Sequence, residues 1–403
     1  MRRLAVALLL ALALAGAAGA EEPRLSVAAG ASAETVFRWE TQRCAPMHVP
    51  DSPARAMRTG DGGVALLAAH LVNIPLLGRD FEHLSPACAA SSRGAEAEDP
   101  ALFQDRFWIQ AVIPLTVRGE RRVLGLASHE YMGWRHPGRC AVPGDGPLRA
   151  FRCWYSAITL VQADERDWRF RPVTAGAGGR GTVVAASPFP YDASAPSRTG
   201  FFSVTNAVVE EGHATVLAYT EGIRGQPRGN CVLRAPMEDL VGGWRALSGG
   251  AFALQLGDAY ATNGGARGAC DVVGASVLEG PVRSLLRVPA ADGSWWMAVF
   301  TRAGPRGGVF YAVSRDLRQW SPARLLWSMV PFRGQPEAGT YYEYPSLIDH
   351  GSASPVFDRV AEDAGRARVH LYLTRLNLQD RRRGLDRDLV RLPISIAWAE
   401  QRG

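Results

Sequence analysis

The stretch GVFYAVSRDLRQW, residues 308–320, reads as a β-strand ending in a defined turn. Gly308 to Val313 is apolar and rich in β-branched and aromatic residues, Ser314-Arg315-Asp316 breaks the run, and Leu317 and Trp320 follow. An Asp at such a break accepts hydrogen bonds from the backbone just beyond it, while the apolar and aromatic residues pack against a neighbouring layer. Weaker copies occur at Gly78-Arg79-Asp80-Phe81, at Asp164 with Trp168, at Met237-Glu238-Asp239-Leu240 with Trp244, and at Asp386-Arg387-Asp388-Leu389. From Asp80 through Asp164, Asp239 and Asp316 to Asp388 the steps are 84, 75, 77 and 72 residues. Five units of that length, each holding about four short strands, predict an all-β fold: a five-bladed β-propeller around a central funnel.

The sequence around the repeat agrees. Helical periodicity is scarce, and short β-rich runs bounded by Gly, Pro and Asp recur at 63–70, 123–128, 215–220, 295–301 and 369–374. The segment Thr35 to Trp39 alternates as a strand should, and is expected to close the ring beside Val369–Thr374. These readings place a single propeller domain over residues 21–403.

Residues 1–20 read as a signal peptide: Arg2-Arg3, then Leu, Ala and Val from Leu4 to Leu14, then Ala18-Gly19-Ala20 before Glu21-Glu22. The apolar centre is too short to span a membrane comfortably. The expectation is a secreted or periplasmic chain with no membrane attachment once the leader is removed, acting as a monomer. Six cysteines in an exported chain suggest disulfides, and sequence neighbours give the simplest pairing: Cys44–Cys88, Cys140–Cys153 and Cys231–Cys270.

Composition excludes several classes of function. The formal net charge is +6, falling to +4 without Arg2 and Arg3, and the sequence contains no lysine. A Walker A loop, a pyridoxal Schiff base and a protein kinase all need a lysine that is not here. The arginines are interspersed with carboxylates, and the basic run Arg381-Arg382-Arg383, flanked by Asp380 and Asp386, reads as a solvated hairpin tip, so no nucleic-acid partner is expected. Gly176-Ala177-Gly178-Gly179-Arg180-Gly181 matches G-x-G-x-x-G formally, but Thr182-Val183-Val184 and two prolines follow where a dinucleotide site needs a helix. His129-Glu130 lacks the second histidine of a zinc protease helix.

Function in a propeller gathers where the inner strands begin. Blade one opens Asp51-Ser52-Pro53-Ala54-Arg55, blade three opens at Asn206, and blade four opens Glu279-Gly280-Pro281-Val282-Arg283. These openings, each followed by a Gly turn and a strand, resemble segments of glycoside hydrolase family 43 and its five-bladed relatives. The resemblance implies a carbohydrate substrate or ligand, with Asp51 as general base and Glu279 as general acid of an inverting reaction. It also implies a third carboxylate opening an intermediate blade, where this chain has Asn206, an amide that cannot supply that charge. Glu130 or Glu343 could take its place.

Inverting hydrolysis needs one carboxylate to activate water and one carboxylic acid to protonate the leaving oxygen. Structural roles stay open for both residues, Asp51 as a turn cap before Pro53 and Glu279 as an ion-pair partner of Arg283 or Arg287. Further substrate-binding candidates are His70 and Asn73 at the end of a blade-one strand, Trp108, His129, Glu130 and Tyr131 in blade two, and Glu343 and Tyr344 opening the last blade. No cofactor is expected, and no residue spacing is specific for a central structural ion. Two other functions remain open: a non-catalytic sugar-binding propeller, which Asn206 favours, and a protein-interaction scaffold.

Overall fold

The computed structural model describes residues 22–398 apart from residues 69, 144–150, 176–177, 262–267, 305, 332–337, 364 and 379–384. The leader and the Arg381-Arg382-Arg383 run therefore lie outside the described residues. Strands dominate and fall into five units in sequence order, antiparallel within each; Thr199–Val204 of the third also pairs in parallel with Trp154–Asp164 of the second, which joins those two into one sheet. Blade I is Arg55–Arg58, Val64–Leu67, Leu76–Gly78 and Ser85–Pro86. Blade II is built on Arg106–Val117, Glu120–Met132 and Trp154–Asp164, with Arg171–Pro172 and Val183–Ala185 sharing its outer edge. Blade III runs Thr199–Val204 with Val208–Glu210, His213–Thr220, Gly229–Pro236 and Arg245–Ser248. Blade IV is Ser284–Ala290, Gly293–Arg302, Gly308–Ser314 and Arg324–Ser328. Blade V is Gly339–Asp349, Val369–Leu378 and Arg387–Trp398, completed by N-terminal strands.

The inner strands contact one another in the order I, II, III, IV, V and back to I, so the ring closes. The five β-rich runs read from the sequence are, in every blade, the second strand. That strand is covered on both faces by its neighbours, so its apolar pattern is the cleanest. Asp80, Asp164, Asp239 and Asp316 each accept a backbone N–H at the turn leaving the third strand. Asp388 does not belong to this set. It lies inside the third strand of blade V, and its carboxylate takes the Trp39 N–H and Arg375 instead. The strands that flank Arg387–Trp398 in blade V are N-terminal, Pro23–Val27 and Glu34–Phe37, so they are not reached through a turn of this kind. Ring closure also differs from expectation: Glu34–Phe37 pairs with Arg387–Trp398 rather than with Val369–Leu378, and Pro23–Val27 pairs with the same strand further along. All three disulfides form as the sequence neighbours suggested.

At the axis, the inner strands are joined by polar side chains at every blade junction. Ser52 donates to Ile109 O (3.4 Å), Gln110 Oε1 accepts from Val204 N (2.7 Å), Ser284 Oγ accepts from Leu347 N (3.1 Å) and Ser346 donates to Ala54 O (2.7 Å). Asn206 links blade III to blade IV, its Oδ1 accepting from Leu285 N at 2.8 Å and its Nδ2 donating to Leu285 O at 2.9 Å. Arg55 spans the whole ring. Its guanidinium donates to Ala54 O and Ser346 Oγ (both 3.1 Å), Val204 O (3.5 Å), Arg283 O (2.7 Å) and Gln110 O, one acceptor from each blade. Burial and the nearby Arg283 pull its pKa down to about 9. Removing this donor leaves Ala54 O its Ser346 hydroxyl but takes a partner from Gln110 O, Val204 O and Arg283 O, and a buried acceptor left unsatisfied costs about 1–3 kcal/mol. Arg55→Met is therefore expected to lose at least about 3 kcal/mol of stability in denaturant unfolding. An unchanged midpoint would mean that apolar packing alone holds the ring.

Candidate active site in the funnel

Strand alternation decides which residues reach the funnel. Arg106 and Glu130 are directly opposite one another on the first two strands of blade II, and share a face with Ser128 and Ser156. The residues on either side of Glu130 point the other way. His129 is buried, accepts the Asp105 N–H at 3.0 Å through Nε2, and is pulled down to about 3 by desolvation, so it is neutral. Tyr131 is fully buried, stacked on His136 at 4.8 Å and donating to Glu98 O at 2.9 Å. Both are core, because a period of two cannot bring three successive residues to one face.

Glu130 is 9% exposed and accepts from Ser128 Oγ at 3.3 Å. Burial pushes its carboxyl up to about 8 against the pull of Arg198, and the Asp51 carboxylate adds to the push. The two carboxyl groups thus share one electrostatic neighbourhood. Asp51, just ahead of the blade I inner strand, is 16% exposed at its side chain; it pairs with the Arg387 guanidinium and lies 3.3 Å from His70 Nε2. His70 in turn meets Trp108 edge-on at 5.8 Å, and burial lowers its pKa despite Asp51. From blade V, Tyr344 enters the same group at a bulge, with φ +59°. A left-handed tyrosine is strained. Its ring lies 5.2 Å from the Arg283 guanidinium, and burial with the Asp51 charge raises its phenol. Glu343, adjacent in sequence, acts on Tyr344, Arg283 and Arg387 through its charge.

The other sequence candidates sit elsewhere. Asn73 is fully buried and ties blade I to blade II through Phe107 O (3.2 Å) and Ile109 N (3.4 Å). Asn206 is engaged as the latch described above. Glu279 is 59% exposed at its side chain and pairs with Arg302 Nη2 at 3.0 Å. It lines a cleft of about 410 Å³ with Tyr219, Arg228 and Leu278, rather than joining the Asp51 group. Sequence reading passed over Arg55, Arg198, Arg283 and Arg387. The available signal was Arg55 itself, a charge between Ala54 and Ala56 at the start of a short strand. Among the described residues no cluster of three or more His, Cys, Asp or Glu side chains converges as a metal site would need.

No protein-family model matches the chain, and no curated protein matches it in sequence. Solved structures do resemble it in fold. A glycoside hydrolase family 62 enzyme in complex with xylotriose superposes with TM-score 0.48 at 9% identity, covering 90% of this chain and 96% of that one. The catalytic domain of the family 62 α-L-arabinofuranosidase of Coprinopsis cinerea gives TM-score 0.47 at 9% identity, over 91% and 96%. The family 43 protein BlXynB of Bacillus licheniformis gives TM-score 0.41 at 9% identity, covering 94% of this chain and 57% of the other. At the level of fold, this chain is similar to glycoside hydrolases of families 43 and 62.

The buried acid makes stability depend on pH. Glu130 has a folded value of about 8 against its ordinary 4.5, so the neutral form is favoured in the folded state. That contribution is complete below about 4.5 and is lost as pH rises towards 8. Glu130→Gln carries no such penalty. Its melting temperature is expected to match the wild type near pH 4.5 and to exceed it by a few degrees near pH 8.5. A deficit that is the same at both pH values would instead mark Glu130 as an ion-pair partner.

Proposed function

We propose that this chain is an exported glycoside hydrolase in which Asp51 is the general base and Glu130 the general acid of an inverting reaction. The observation that carries the reading is the contrast between the two carboxyl groups. Glu130 is held protonated near neutral pH by burial, while Asp51 faces the Arg387 guanidinium. A carboxyl group kept neutral by burial, in the neighbourhood of a second carboxyl group paired with an arginine, offers an acid and a base to one site. In the step proposed, Asp51 takes a proton from water as that water attacks the anomeric carbon, and Glu130 gives its proton to the departing glycosidic oxygen. The products are an inverted sugar and an alcohol, and the two carboxyl groups exchange protonation states. The Glu279 assignment that the resemblance implied is set aside because that carboxylate is exposed and paired with Arg302. Three disulfides support export.

A second reading, a sugar-binding propeller without turnover, is favoured by Asn206, whose amide fills the position of a third carboxylate and is committed to Leu285.

Reducing-sugar release from arabinose-, xylose- and galactose-containing glycans separates the two. Hydrolysis should fall by about 10²–10⁴-fold in Glu130→Gln and in Asp51→Asn. The rate should decline above pH 8 as Glu130 loses its proton. Loss of activity in Glu279→Gln with Glu130→Gln still active would return the acid to Glu279. Saturable glycan binding without turnover in the wild type would establish the binder.

A further inference from the structure

The acid–base pair leaves the arginines of the funnel unexplained. Arg55, Arg283 and Arg198 form a sequence of mutually repelling cations, with Arg283 acting on Arg55 and Arg198 acting on Arg283. Arg55 donates only to carbonyl and hydroxyl oxygens, so no carboxylate touches it. Among the described residues Arg283 makes one side-chain hydrogen bond, from Nη1 to Ser203 Oγ at 3.0 Å, and its buried Nε meets no partner. Glu343 and Asp51 act on it through their charges. Arg198 pairs with Glu221 at 2.8 Å and lies over the Phe202 ring at 3.4 Å, and its own Nε is also buried without a partner. Of the acidic groups nearby, Glu221 is taken by Arg198, Asp51 is engaged by Arg387 and Glu130 is neutral below about pH 8, while Glu343 acts on Arg283 through its charge.

An enclosed charge without an opposite partner is costly, and folded proteins normally supply one. A guanidinium with unused N–H groups in one plane presents a fork that fits a carboxylate or a sulfate. We propose that the funnel takes an acidic sugar, whose carboxylate or sulfate ester is received by Arg283 with Arg198 beside it. This rests on the funnel being the substrate site proposed above, and deepens it by naming the class of substrate. The same charge would disfavour nothing in a neutral glycan, but would give it no counter-ion for Arg283.

Isothermal titration at low salt tests the assignment with trigalacturonic acid, galactose 6-sulfate and neutral galactotriose, the first two separating carboxylate from sulfate. At least one acidic sugar should bind roughly tenfold or more tightly than the neutral one, and its affinity should fall with added salt. Arg283→Gln should remove that preference; Arg198→Gln serves as a second variant should the first fail to fold. Arg302→Gln, in the neighbouring cleft, should keep it. Equal affinity for acidic and neutral sugars, no binding of either acidic sugar, or a preference that survives Arg283→Gln and Arg198→Gln would overturn the proposal. Turnover of neutral glycans that depends on Asp51 and Glu130, without acidic preference, would overturn it and leave the hydrolase reading standing. Acidic-sugar binding without turnover would do the reverse.

Discussion

A ring of five sheets brings five inner strands to one axis, and a chain with polar backbone must satisfy the carbonyls that face it. This chain does so with the guanidinium of Arg55, which donates to an acceptor in each blade. The planar fork suits the task because its N–H groups diverge in fixed directions. An ammonium group would offer three donors at most, and a hydrophobic plug none. The side-chain bonds at the blade junctions then hold each neighbouring pair at the spacing Arg55 needs. The interaction is non-local in sequence: its acceptors run from Ala54 to Ser346. Contacts of that separation form only after most of the chain has been placed.

The sequence carried the repeat better than the site. The second strands stood out because both faces are covered, and the Asp turns of the first four blades stood out because an Asp that accepts backbone N–H groups leaves a local signature. At Asp388 the same local pattern occurs where the chain is about to end its last blade on N-terminal strands, and local pattern cannot report that pairing. The cysteine pairs were legible because neighbours in sequence are neighbours in the fold, with Cα separations of 5.4–5.8 Å. The site was harder. His129, Glu130 and Tyr131 read as one functional run, yet only Glu130 shares a face with Arg106 and Ser156 and feels the Asp51 charge, and alternation alone could not say which of the two faces that was. Asn73 and Asn206 are polar groups near strand ends whose hydrogen bonds turn out to be spent on the adjacent blade. The arginines were invisible as a group, since lysine is absent and arginine is spread through the whole sequence.

Asn206 bears directly on how an acid can be kept protonated in this funnel. A like-charged neighbour raises a carboxyl group's pKa by repulsion, and that device requires a second carboxylate close by. Asn206, which the resemblance sets in that position, is an amide latched to Leu285, and the largest influence on Glu130 is desolvation, with Asp51 contributing less. The two devices differ in consequence. Repulsion works in an open, hydrated cleft, whereas desolvation requires that water be kept from the carboxyl group until a substrate arrives.

The surroundings of Glu130 meet that requirement at a cost in charge balance. Ser128 gives it one hydrogen bond, Arg106 stands opposite on the adjacent strand, and Arg198 stabilises its anion without overcoming burial. A neutral acid leaves the nearby cations without its charge, and Arg198, which fails to ionise Glu130, has an Nε–H without a partner. An anionic substituent on a bound sugar would both compensate those cations and, by screening Arg198 from Glu130, push the acid's pKa further up. Substrate charge and acid protonation would then be coupled, so that the proton is held most firmly when the leaving oxygen that needs it is in place.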